Sequence, residues 1–180
     1  MTGHDVQVTQ HQANLLGALA VGMRDRVGAA LAEAMGLDEA AVAALLAVRA
    51  RPGQSITDVA AVLGLTHPGA VRVVNRLERR GLLTRGEGRD ARSRGLVLTS
   101  AGEAVSARGL RARAAVLQDL LGVVPAEHRS SLIQAVEAML SCLPASRRDA
   151  WRICRICDHE VCRGRECPVG NSVDDDACTG

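Results

Sequence analysis

Apolar residues at Leu16, Leu19, Met23, Val27, Leu31 and Met35 recur in steps of three or four. That spacing draws one stripe along a long helix over residues 10–35, and Gly36 stops it. Asp38 is placed to cap a second helix running to residue 50, where Arg51-Pro52-Gly53 breaks it. Residues 55–63 form a short third helix, and Gly64 permits the left-handed turn that a β-carbon would penalise. Thr66 or His67 caps a fourth helix to Arg80, ended by Gly81. Pro68 is tolerable in its first turn, and it biases His67 away from helical angles, which favours His67 as a cap over a base reader.

The period then shortens. Residues 82–85 and 95–99 alternate as two short strands around the loop GEGRDARSR. Ser100 with Glu103 matches a capping box that opens a fifth helix to about residue 121. A sixth helix starts at Pro125 and ends near Leu143, before Pro144. Beyond that point, order is expected to depend on cysteines, and the tail DDDACTG should be loose. Helix, short helix, glycine turn, capped helix and β-ribbon, in that order, make a winged helix-turn-helix in a mainly α chain. Within helix four, Ala70, Val73, Val74 and Leu77 share one face and would pack on Val59, Ala60 and Leu63. Arg72, Arg76 and Arg79 fall on a separate wet stripe.

Charge sharpens that picture. The net charge is only +2, yet residues 72–94 hold eight arginines against Glu78, Glu87 and Asp90. Residues 1–71 hold four arginines and six acidic residues. This local cationic patch is of the kind that meets phosphates, whereas a plain solvated face would lack the flanking helix pair and hairpin. Every basic residue is Arg, and with no Phe, no Tyr and one Trp the core must be aliphatic. No secretory signal is visible, and the apolar run LLGALAVGM meets Arg24-Asp25-Arg26 well short of a bilayer span. The sequence therefore reads as cytoplasmic, with no membrane partner.

Residues 58–83, DVAAVLGLTHPGAVRVVNRLERRGLL, resemble the DNA-binding core of MarR-type transcriptional regulators. GEGRDARSRGLVLTSAG resembles the same family's Asp-x-Arg wing with its Leu-Thr-x-x-Gly entry to the next helix. The likeness spans about residues 10–143. It implies a winged helix-turn-helix at 38–99 and an α-helical dimerisation domain built from 10–35 and 100–143. It also implies a homodimer, double-stranded DNA as partner, and helix four in the major groove. Carried over residue by residue, Thr66, His67, Gly69, Arg72, Asn75 and Arg76 are groove candidates, with Arg72 and Arg76 foremost for guanine or phosphate. Arg92 becomes the wing-tip arginine for the minor groove, oriented by Asp90 through a forked ion pair, with Arg89 and Arg94 on phosphate. His67-Pro68-Gly69 departs from the Ser, Thr and Ala types usual in the family, and Gly69 offers no side chain. The family often answers to small phenolic or lipophilic effectors between its two lobes; without Phe or Tyr such a pocket here would lack aromatic walls, which counts against an aromatic effector and leaves an aliphatic one open.

The segment ICRICDHEVCRGRECP adds separate chemistry. Cys154, Cys157, Cys162 and Cys167 follow C-x2-C-x4-C-x4-C, the intervals of a zinc knuckle with Cys162 in the histidine's place. An x2 pair offers two thiolates from one turn, and two x4 steps bring the chain back around an ion at about 2.0–2.3 Å. Residues 150–170 would be a metal-binding extension, with zinc as the first reading, since a coreless segment of this size needs a metal to fold. Arg152, Arg155, Arg163 and Arg165 would offset the thiolate charge. An iron–sulfur cluster and an oxidant-responsive thiol switch are the alternatives. His159 reads as exposed rather than ligating, Cys142 and Cys178 as ordinary thiols, and residues 171–180 as a disordered acidic tail.

These readings combine into a dimeric DNA-binding regulator, expected to be a repressor of a pseudo-palindromic operator, with a metal or redox module. The rival is a protein-interaction adaptor that uses the zinc module on a winged scaffold. No Ser-His-Asp spacing, phosphate loop or paired carboxylates point to an enzyme.

Overall fold

A computed structural model describes residues 8–87, 94–162, 164 and 167–173; of Glu87 and Arg94 it describes the backbone only. Helix α1 (Gln10–Met35) opens on a Thr9–Gln12 capping box and ends at left-handed Gly36. Helix α2 (Glu39–Ala50) is capped by Asp38, which accepts the Ala41 N–H at 2.9 Å. Helices α3 (Ile56–Leu63) and α4 (His67–Arg79) flank Gly64, whose φ of 68° suits a residue without Cβ. Strands β1 (Leu83–Glu87) and β2 (Arg94–Leu98) pair antiparallel, Leu83 opposite Leu98 and Glu87 opposite Arg94. Helices α5 (Ser100–Gly122) and α6 (Ala126–Ser141) follow, then two short ones, α7 (Arg147–Ile153) and α8 (Pro168–Asn171). The mainly α winged helix-turn-helix is thus present as expected.

The core is aliphatic. Leu31 and Met35 of α1, most of α2, Val59 of α3, Val73, Val74 and Leu77 of α4, Leu83, Leu96 and Leu110 form one cluster. Helix α2 is buried along eight consecutive residues, 41–48, because α1, α3, α4, α5 and β2 all pack around it. Helices α1 and α5 cross closely at Gly109, where a Cβ would collide with the Met35 sulfur. No helix among the described residues is long and apolar enough to cross a membrane.

Several local expectations shift. The α5 cap is Thr99, not Ser100: its hydroxyl accepts the Gly102 N–H at 3.1 Å and donates to the Gly81 carbonyl at 2.6 Å. Thr66 alone caps α4, accepting from Gly69 N–H at 3.3 Å. His67 lies inside the helix as its first residue, so the bias imposed by Pro68 does not prevail. Val62, rather than Leu63, is the fully buried residue late in α3. The wing root also carries a third, single-residue rung: Gln54 bridges Leu96, and its buried side-chain amide donates to the Ala47 carbonyl at 2.7 Å. Gly95 is required there, since a Cβ would strike the Gly53 carbonyl.

Candidate functional site

Helix α4 separates into a dry and a wet face. Ala70, Val73, Val74 and Leu77 are buried, while Pro68, Arg72, Asn75 and Arg79 are exposed at steps of three and four. No carboxylate among the described residues pairs with Arg72 or Arg79. Arg76 stands on the flank instead: its guanidinium meets the Asp38 carboxylate at 2.5 Å, half-exposed. The expected stripe of Arg72, Arg76 and Arg79 is therefore Arg72, Asn75 and Arg79, with Arg76 turned toward the start of α2. Arg80 donates to the Gly36 carbonyl at 2.8 Å, so α4 is fastened to the α1–α2 corner at two points.

The remaining groove candidates sit at the start of α4. Thr66, His67 and Gly69 cluster there, Thr66 and His67 exposed, with the His67 ring 3.5 Å from the Thr57 hydroxyl. From β1, Arg85 reaches across to α4, donating to Glu78 at 3.0 Å and Asn75 at 3.4 Å. That contact braces the wing against the helix and raises the Arg85 pKa through its hydrogen bond to Glu78. Arg89, Asp90 and Arg92 lie outside the described residues, as does the side chain of Arg94.

The second group of functional side chains surrounds a cavity of about 370 Å³ between α7 and α8. Cys154, Cys162, Cys167, His159, Trp151 and Arg147 line it. His159 is half-buried and its Nε2 lies 3.0 Å from the Cys154 carbonyl oxygen, so the expectation of an exposed ring is corrected. The thiols lie as two neighbouring pairs, Cys154 with Cys157 and Cys162 with Cys167, each pair feeling the other's charge. Donation from the Cys154 thiol holds Cys157 down to about 6, aided by Arg113 of α5 and by His159. The same bond, with burial, pushes Cys154 far up. Burial raises Cys162 to about 11, with the charges of Cys167 and Cys157 adding to it.

The cation that bears on two of these thiols is thus Arg113, which local spacing did not single out; Arg163 and Arg165 lie outside the described residues. Among the described residues no group of three or more His, Cys, Asp or Glu is already gathered to hold a metal ion. The donor chemistry nonetheless suits a thiophilic ion: the sulfurs of Cys154, Cys162 and Cys167 line one cavity, Cys157 neighbours Cys154, and cationic groups lie nearby. Cys142 is an exposed free thiol, and Cys178 lies outside the described residues.

A separate cleft of about 340 Å³ lies between α1 and α2, walled by Val27, Leu31 and Val42 and by Arg24, Arg155 and Ile156. Its lining contains no aromatic ring.

Residues 35–93 match the sequence profile of the MarR family. No curated protein matches the chain. Among solved structures it is similar to the Mycobacterium tuberculosis MarR family protein Rv2887, at 22% identity and a TM-score of 0.59, covering 74% of this chain and 97% of that one. The complex of Rv2887 with DNA aligns at 23% identity and a TM-score of 0.58, over 71% and 95% of the two chains. Staphylococcus aureus MepR, a transcription regulator of the multidrug efflux pump MepA, aligns at 21% and 0.63, over 76% and 100%. The segment of Cys154 to Cys167 lies beyond the profile match. Residues 35–93 are therefore similar in sequence to the MarR family, and the chain shares the fold of solved MarR-type proteins.

Proposed function

We propose that this protein is a MarR-type DNA-binding transcriptional regulator, a repressor acting as a homodimer on a pseudo-palindromic operator. The observation that carries the reading is the exposed row Arg72–Asn75–Arg79 on a helix whose opposite face is fully buried. A rigid helix with such a row fits the major groove, where arginine reads guanine edges and clasps phosphate. Arg76, released from Asp38 by a competing phosphate, joins them at the groove edge. That Rv2887, a protein of similar fold, forms a complex with DNA supports the DNA-binding reading.

A homodimer accounts for the apolar side chains left exposed on α1 and α6: Leu15, Leu16, Leu19, Val21, Ile133 and Met139. Two copies would set two α4 helices about one DNA turn apart, which is why the operator should be pseudo-palindromic. An effector of aliphatic character suits the α1–α2 cleft. Cys154, Cys157, Cys162 and Cys167 would hold a zinc ion, which supplies a four-point crosslink for a segment whose own core is three small residues.

A mobility-shift titration on the DNA upstream of the protein's own gene tests the regulator reading. Arg72→Ala is expected to weaken binding by about 1–3 kcal/mol while thermal stability stays unchanged. Binding should also fall steeply with salt. Wild-type affinity in the variant would remove α4 from the groove. Elemental analysis with ultraviolet–visible absorption separates zinc, which is colourless, from an iron–sulfur chromophore.

A further inference from the structure

The loop that runs from the second thiol to the third, Cys157-Asp158-His159-Glu160-Val161-Cys162, reaches the DNA-binding lobe. Glu160 accepts from Arg49 of α2 at 2.7 Å. That guanidinium, with only 19% of its side chain exposed, also binds Glu103 in the first turn of α5 and points an N–H at the buried Ser106 hydroxyl at 3.3 Å. One half-desolvated cation therefore joins α2, α5 and the thiol loop, a setting in which charge pairing counts for more than at an open surface.

The residues preceding the first thiol touch the lobe as well. Helix α7 lies against α3. The Arg152 guanidinium stands 3.4 Å from the place a Cβ would occupy on Gly64, the left-handed hinge between α3 and α4. The Arg51 guanidinium, at the end of α2, stacks 3.7 Å from the Trp151 ring centre. Ile156, inside the Cys154–Cys157 turn, packs on the main core. Thiols and lobe contacts thus alternate along one stretch of backbone.

We propose that the thiol module is a clasp on the helix-turn-helix: an ion joining Cys157 to Cys162 fixes the loop that holds Glu160 on Arg49, braces the Gly64 hinge through α7, and so sets the DNA affinity of α4. The clasp rests on the reading of the four cysteines as a metal site. Fixing the loop by crosslinking removes conformational freedom that DNA binding would otherwise have to freeze out, so metal and DNA reinforce one another. Such couplings between sites typically amount to a factor of about 5–150.

The test compares the full-length protein with zinc and after chelation. Amide hydrogen exchange across residues 56–66 should slow on zinc loading, and affinity for the upstream DNA should rise by roughly 5–150-fold. Glu160→Gln, at an exposed position, should take up zinc with the same stoichiometry yet lose both responses. If the protein takes up no zinc, the metal reading fails and the clasp with it. If it takes up zinc but exchange over 56–66 is unchanged, or Glu160→Gln responds as the wild type does, the clasp alone is overturned. The exchange readout needs no DNA, so it decides the point even if the chosen fragment is not an operator.

Discussion

The helix-turn-helix lobe and the thiol module are neighbours built on different principles. The lobe buries a continuous aliphatic cluster around α2, and its helices are capped at nearly every start. Among its described residues the module buries only Ala150, Cys154 and Val169, leans on partly buried Leu140 and Ile153, and is held by Arg147 donating to the Gly170 and Val173 carbonyls, each at 2.8 Å. Burial on the first scale is enough to order a fold; burial on the second is not. On the proposed metal reading, the contrast would account for four of the six thiols falling in this segment.

The sharpest way to break this comparison is to remove one side chain from each core. Leu77→Ala, at a fully buried position, should destabilise the lobe by about 2–5 kcal/mol and lower the thermal midpoint. Val169→Ala should leave that midpoint almost unmoved while raising exchange in residues 147–171. Equal effects of the two would mean the regions share one cooperative unit. A smaller effect, about 0.5–2 kcal/mol, is expected for Thr66→Ala, which removes the α4 cap and should weaken stability before it alters any base preference. The finest probe is Trp151, stacked on Arg51 and lining the thiol cavity. Its fluorescence should move on metal removal, and a signal that stays fixed would separate the cavity from the ligand site.

Most of the lobe was legible because it is governed by short-range rules. The spacing of Leu31 and Met35, the cap at Asp38, and the glycines at 36 and 64 all act within one turn of chain. Features that depend on residues far apart were not legible. Nothing local ties Arg76 to Asp38, Gln54 to Ala47, or Arg113 to Cys157. Thr99 and Ser100 are both plausible caps in isolation; the Gly81 carbonyl, brought close by the hairpin, selects Thr99. His159 looked too near Cys157 to matter, and it turns inward because the loop folds back onto the Cys154 carbonyl. The thiol spacing announced a chemistry but not its place, and the place, against α2 and α3, is what links it to the rest.

Helix α6 contains no buried residue in the single chain. A sixteen-residue helix whose inner side, Leu132, Val136 and Leu140, is only partly buried is marginal in water, so whatever shelters it further governs whether it persists. If that shelter is a twin copy, the equilibrium becomes bimolecular, and dilution alone should loosen this end of the molecule. The number of copies in the cell would then act as a quiet control on the protein's own shape.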